Sequence, residues 1–287
     1  MTRRWAAIVA CLLIVTTLAN VGAKAHVAAA STAKKVSLSP ASGPVGATVT
    51  VFFRRFTKNH SITISWDGKT VATSRTSAGG DGSVSFKAPV AKRGAHTVAA
   101  TMGAVTDSAT FRIVPKISLS RSSSLVGQQI NATLRGFGRG ESVALAFDSA
   151  SKTLVSVRTS SVGSASGTFV VPVATGGNHN VLGIGGTGSR TQATLFIKPS
   201  AWVSPTSGPP GTNIRVHLRG YAKGELVEIQ LRGGGGSQSE GIVTASSTGS
   251  VNVTITLKLH PAMHPGDYAI VGRGYGVSVA ETPFTVT

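Results

Sequence analysis

The chain has 287 residues, 41% of them hydrophobic but only 6% aromatic, and contains 35 glycines. That hydrophobic fraction excludes general disorder, because enough apolar surface is present to offset chain entropy, while the length and scarce aromatics argue for several small domains over one densely packed core. A formal net charge of +18 at pH 7 favours anionic surfaces as neighbours without identifying any one of them.

Residues 1–25 read as a secretory signal peptide: Arg3 and Arg4 form a charged start, Ala6 to Ala19 an apolar stretch, and Ala23-Lys24-Ala25 a small-x-small cleavage site. Ala28-Ala29-Ala30 is the alternative cleavage site, so cleavage is expected no later than residue 30, and residues 26–34 form a short linker. The apolar stretch is short for a membrane span, so no span is expected in the mature form. Ile8-Val9-Ala10-Cys11 resembles a bacterial lipoprotein box, yet little apolar sequence precedes Cys11, which reads as a small residue of the signal core. Cys11 is the one cysteine of the chain. Once it leaves with the signal, no disulfide, cysteine-ligated zinc site or thiol nucleophile remains. Small exported domains without disulfides are more typical of a bacterium than of a eukaryotic secretory pathway.

Beyond the linker the sequence repeats. Leu38-Ser39-Pro40-Ala41-Ser42-Gly43-Pro44-Val45-Gly46 returns as Leu119-Ser120-Arg121-Ser122-Ser123-Ser124-Leu125-Val126-Gly127 and as Val203-Ser204-Pro205-Thr206-Ser207-Gly208-Pro209-Pro210-Gly211. Nine residues past each final glycine stands Arg55-Phe56, Gly136-Phe137 or Gly220-Tyr221. The alternating series Ile62, Ile64, Trp66 then matches Val143, Leu145, Phe147 and Val227, Ile229, Leu231. Each copy closes with a proline, a Gly-x-His or Gly-x-Tyr group and a strand containing Phe111, Phe196 or Phe284. Such repetition sets three homologous domains, 35–115, 116–199 and 200–287, joined with so little slack that a semi-rigid array is expected.

Within the first domain, period-two alternation between turn residues predicts seven strands, near Val36–Ser39, Ala47–Phe53, Ser61–Trp66, Lys69–Ser74, Ser83–Ala88, His96–Met102 and Ala109–Val114. Asp67-Gly68 suits a tight hairpin turn with positive φ, and Gly233 to Gly236 read as a flexible insertion in the third domain. Seven short strands per domain predict an all-β fold: three tandem immunoglobulin-like β-sandwiches, each of two antiparallel sheets.

The motif Ser-Pro-x-Ser-Gly-Pro-x-Gly, followed by alternating apolar residues and Gly-Phe or Gly-Tyr, resembles the opening of IPT/TIG-type immunoglobulin-like domains. The whole unit resembles the Ig-like repeats of bacterial extracellular proteins, over about Lys35 to Thr287. The resemblance implies the sandwich fold and an extracellular setting, and it carries no particular function. The second domain departs from the motif, with Arg121-Ser122-Ser123-Ser124 where the third has Pro205-Thr206-Ser207-Gly208, and so does the first at Arg55, where the other two have glycine.

No reactive constellation stands out, and no catalytic residue, cofactor or metal site is expected. Asp67, Asp81 and Asp107 read as solvated turn or strand-edge residues. His96, His179 and Tyr268 occupy one repeat position, which argues for a hydrogen bond to nearby backbone at a strand start and against metal binding. His260 and His264 could chelate a stray ion. Gly183-Ile184-Gly185-Gly186-Thr187-Gly188 fits Gly-x-Gly-x-x-Gly by letter but joins two strands, where a dinucleotide site needs a strand and a helix. Basic residues gather at Arg54, Arg55 and Lys58 and at Lys92 and Arg93, as possible anion-binding groups. Trp66 aligns with core positions, leaving Trp202, Tyr221 and Tyr275 as candidate exposed aromatics.

Charge is uneven. Domain 1 has ten basic and three acidic residues, net +7; domain 2 has eight and two, net +6; domain 3 has six and five, net +1. The expectation is a secreted or surface-associated Ig-like protein with a structural or adhesive role and no catalysis. The alternatives are capture of anionic polymers (wall polymer, acidic polysaccharide or extracellular DNA) by domains 1 and 2 without specific nucleic-acid recognition, and an enzyme or small-ligand carrier with a cleft between sheets or domains.

Overall fold

Thr48-Val49-Thr50-Val51-Phe52-Phe53-Arg54 shows how the sequence makes this fold. Successive strand residues point to opposite faces, so Val49, Val51 and Phe53 are fully buried while Phe52 and Arg54 turn outward. Ile130, Ala132 and Leu134 do the same in the second domain, and Ile214, Val216 and Leu218 in the third.

The structure is a computed structural model and describes residues 35–258 and 264–287. The signal peptide, the linker, Cys11 and His260 lie outside the described residues. All regular structure among the described residues is strand, eight per domain. Domain 1 comprises β1 (Lys35–Ser39), β2 (Ser42–Gly43), β3 (Thr48–Arg54), β4 (Ser61–Trp66), β5 (Lys69–Arg75), β6 (Gly82–Lys87), β7 (Gly94–Met102) and β8 (Val105–Ile113). Domain 2 has β9 (Lys116–Leu119), β10 (Ser123–Ser124), β11 (Gln129–Arg135), β12 (Ser142–Phe147), β13 (Thr153–Arg158), β14 (Ala165–Val170), β15 (Gly177–Gly185) and β16 (Arg190–Ile197). Domain 3 has β17 (Ser200–Ser204), β18 (Ser207–Gly208), β19 (Asn213–Arg219), β20 (Leu226–Gly233), β21 (Gly236–Thr244), β22 (Val251–Thr256), β23 (Gly266–Gly274) and β24 (Val279–Val286).

In domain 1 a three-stranded sheet, β1-β3-β6, faces a five-stranded sheet, β2-β8-β7-β4-β5, and the other two domains repeat this order strand for strand. The strand order makes the chain three tandem immunoglobulin-like β-sandwiches. Two sequence expectations need correction. There is an eighth strand per domain, and it pairs in parallel: β2 with β8, β10 with β16 and β18 with β24. The opening segment splits at its Pro40-Ala41 step and crosses from one sheet to the other, leaving two residues paired on the far side. A two-residue strand carries no readable periodicity.

Each domain has a separate core. In domain 1, Phe53, Ile62, Ile64, Val98, Phe111 and Ile113 have no exposed surface and Trp66 is nearly buried. Full burial of such side chains contributes about 1.5–3 kcal/mol each before entropy is set against it. The hairpins close as the turn chemistry requires. Asp67 and Gly68 have φ of 48° and 83°, both in the left-handed region of a type I′ turn. Gly234 and Gly235 do likewise at 57° and 84°, so the expected flexible insertion is a hairpin extension with Gly233 opposite Gly236.

Candidate functional site

The basic residues singled out by sequence lie at opposite ends of domain 1. Arg54, Arg55 and Lys58 precede β4 and are exposed, and the Arg55 amide donates to Asp81 Oδ1 at 3.0 Å. Lys92 and Arg93 sit past the other end of β4, where they meet domain 2. There the Arg93 amide donates to the Phe137 carbonyl at 2.8 Å and its guanidinium to the Thr187 carbonyl at 3.1 Å. Arg93 is therefore a junction residue.

Domains 2 and 3 meet through the same repeat positions. The Gly176 amide donates to the Tyr221 carbonyl at 3.0 Å. At both junctions a glycine is packed against the preceding domain: a Cβ on Gly136 would lie 2.7 Å from the Val114 carbonyl oxygen, and one on Gly220 would lie 2.6 Å from that of Lys198. Gly163 and Gly249 press similarly on the backbone of Lys92 and Thr175. Arg55, at the equivalent position of domain 1, keeps the left-handed φ, 62°, against 70° at Gly136 and 76° at Gly220.

The loop that carries Lys92 and Arg93 is tied down by a histidine. His96 is 8% exposed, stacks on Trp66 with ring centroids 4.9 Å apart, and contacts Asp67 Oδ2 through Nδ1 at 2.7 Å and the Lys92 carbonyl through Nε2 at 2.9 Å. Both ring nitrogens thus face oxygen acceptors, one on the β4–β5 turn and one on the loop before β7. Domain 2 repeats the device with His179 on Phe147, Asp148 and the Thr175 carbonyl. In domain 3 the hydroxyl of Tyr268 donates to the His264 carbonyl. All three side chains reach the carbonyl four residues back, as expected for a strand-start brace. Asp67, expected to be solvated, serves the brace: burial alone would raise its pKa, but hydrogen bonds from His96 and the Thr97 amide outweigh that and hold it below the usual carboxylate value.

Sequence reading passed over Glu141 and Glu225. Glu141 is 4% exposed and accepts from the amides of Gly138 and Thr187 and the hydroxyls of Thr187 and Ser189. Burial raises its pKa, yet these donors, Thr187 foremost, bring it below the ordinary value. The letter match to Gly-x-Gly-x-x-Gly is thereby explained, since it forms the β15–β16 hairpin turn and a Cβ on Gly185 would fall 2.1 Å from Glu141 Oε1. Glu225 holds the amides of Ala222 and Gly276 in domain 3. The signal available was a glutamate at one repeat offset in two domains, Arg139-Gly140-Glu141 and Lys223-Gly224-Glu225.

Of the candidate aromatics, Trp202 and Tyr275 are exposed, whereas Tyr221 is fully buried with its hydroxyl donating to the Gly272 carbonyl at 2.8 Å. Among the described residues no three His, Cys, Asp or Glu side chains gather closely enough to hold a metal ion. An open groove of about 500 Å³ borders the first junction, between the Trp66–His96 brace and Val162, and one of about 450 Å³ lies at the equivalent place between the His179 brace and Thr248.

No protein-family model matches the chain, and no curated protein does. Among solved structures it is similar to the tetra-tandem repeat in the extending region of a large adhesion protein, at 16% identity and a TM-score of 0.26, over 88% of this chain and 75% of that one. It is likewise similar to the Escherichia coli adhesin FdeC, at 16% and 0.27, over 88% and 96%. Invasin, a bacterial integrin-binding protein, matches at 13% and 0.28, over 89% and 60%. Superpositions at such scores fix no shared geometry, and the immunoglobulin-like assignment rests on the strand order.

Proposed function

We propose that the chain is an exported, modular Ig-like protein of the bacterial cell exterior that spaces and docks without catalysing a reaction, its units being of the IPT/TIG type suggested by the Ser-Pro-x-Ser-Gly-Pro-x-Gly opening. The observation that carries this reading is the repetition of the junction. Equivalent residues make equivalent interdomain bonds twice, Arg93 to Phe137 and Gly176 to Tyr221, so domain spacing is written into the repeat itself. A structural or adhesive array needs that property, and an independent set of ligand modules does not. The titratable groups serve the same end: His96, His179, Glu141 and Glu225 hold loops and turns.

Fractionation of producing cells tests the reading. The protein should be found in the medium or on the surface, where protease added to intact cells removes it, with an N-terminus between residues 26 and 31. Beads coated with it should adhere to those cells or to their isolated walls. Recovery in the cytosol with the N-terminus intact would refute export, and retention no better than that of albumin-coated beads would refute adhesion. The basic excess of domains 1 and 2 favours a second reading, in which docking is to an anionic polymer by multivalent, salt-sensitive contacts.

A further inference from the structure

Lys35 stands directly opposite Arg54 across β1 and β3, and Lys116 directly opposite Arg135 across β9 and β11. The two pairs occupy one register position of the same sheet in successive domains. All four side chains are exposed, and among the described residues no carboxylate pairs with any of them. Residues directly opposed on an antiparallel pair have Cβ atoms about 4.5–5.5 Å apart, and like charges there weaken the sheet. A self-repulsive arrangement built twice at the same place is relieved by an external anion.

The rest of the face suits a sugar polymer. In domain 2 one outward row is made of hydroxyls, with Ser118 opposite Thr133 and Thr133 opposite Ser166. In domain 3 the corresponding row is Trp202, His217 and Asn252. Trp202 is 47% exposed and is braced on one side by His217, with ring centroids 3.5 Å apart; Arg215 and Arg219 lie two residues to either side of that histidine. None of the outward residues of β1, β3, β6, β9, β11, β14, β17, β19 or β22 is acidic. Asp107 belongs to β8 of the other sheet, where it accepts the Val36 amide, and Asp81 is in a loop, where it holds the Arg55 amide. A single-stranded nucleic acid would require aromatics interleaved with the charges along one groove, whereas this face has none in domain 2.

We propose that the outward faces of the three-stranded sheets bind an acidic polysaccharide, the paired Lys35/Arg54 and Lys116/Arg135 taking its carboxylates and Trp202 stacking on a pyranose ring. The inference rests on the reading of the chain as an exterior protein that docks on anionic polymers. Binding of the purified protein to polygalacturonate is measured at 0.15 M salt beside two charge-matched variants. One carries Lys35→Ser, Arg54→Ser, Lys116→Ser and Arg135→Ser. The other carries Lys69→Ser, Arg75→Ser, Lys152→Ser and Arg158→Ser, exposed residues of the other sheet and its loops.

The face variant should bind about tenfold more weakly or worse, from four lost contacts of the size of exposed ion pairs, and the control should change by less than about threefold. Trp202→Ala should weaken binding to polygalacturonate and leave binding to polyphosphate unchanged. Equal weakening of the face and control variants would overturn the face assignment while leaving anionic docking intact. Tighter binding to double-stranded DNA than to polygalacturonate, or indifference to Trp202→Ala, would overturn the polysaccharide. Failure to bind any of these polyanions would sink both the face and the docking reading.

Discussion

Replacing Glu141 by glutamine tests the claim that this side chain is the clamp of the β15–β16 turn. Its two oxygens divide four donors: Oε1 takes the Thr187 amide at 3.0 Å and hydroxyl at 2.6 Å, and Oε2 takes the Gly138 amide at 2.6 Å and the Ser189 hydroxyl at 2.9 Å. Glutamine keeps the shape but presents one oxygen and one NH₂. A hydroxyl can rotate to accept from the NH₂; a backbone amide cannot. Whichever way the glutamine turns, one partly buried N–H loses its acceptor, at about 1 kcal/mol, and loss of charge from the surviving bonds adds about 1 kcal/mol. Three domains do not unfold as one two-state unit, so the measurement is amide hydrogen exchange in the full protein. Protection at Gly138 and Thr187 should fall by about 30-fold or more in Glu141→Gln, with domain 3 unaffected. Protection within threefold of the parent at both amides would refute the clamp. Acid gives a second check. Because the folded pKa is lowered, the stabilisation is complete above the ordinary carboxylate pKa and is lost as pH falls through the lowered value. The difference between parent and variant should therefore shrink on acidification.

Arg55→Gly should raise the stability of domain 1 by about 1 kcal/mol by relieving a left-handed non-glycine residue, whereas Gly136→Ala and Gly220→Ala should lower melting temperatures by forcing their junctions apart; calorimetry distinguishes the three. Asp67→Asn should cost domain 1 about 0.5–1 kcal/mol, a modest value because the carboxylate is 46% exposed. Its effect should be full above the ordinary carboxylate pKa and vanish as pH falls through the lowered one, followed by the fluorescence of Trp66. Tyr221→Phe leaves the Gly272 carbonyl without its buried donor and should cost domain 3 about 1–2 kcal/mol in thermal unfolding.

Much of the architecture is legible in the residues because burial is a local pattern here. Val49, Val51 and Phe53, or Ile62, Ile64 and Trp66, alternate with polar residues at the period of a strand, and Asp67-Gly68 names its own turn. The brace at His96, His179 and Tyr268 was legible as one repeat position bonded to nearby backbone. What escaped notice joins residues far apart in sequence. Asp67 and His96 are 29 residues apart and Glu141 and Ser189 are 48 apart, and nothing in the spacing announces that either pair meets.

The sequence by itself determined seven of the eight strands of a domain, the number of domains and the positions of the turns, since each follows from hydrophobic period, glycine placement and repetition. Tertiary structure alone decided which side chains face outward together. It split the opening segment between two sheets, set Lys35 against Arg54 and Lys116 against Arg135, buried Tyr221 and left Trp202 in the open. Those outcomes depend on cross-strand register, which is fixed by the packing of two sheets against one another and not by any residue's neighbours along the chain.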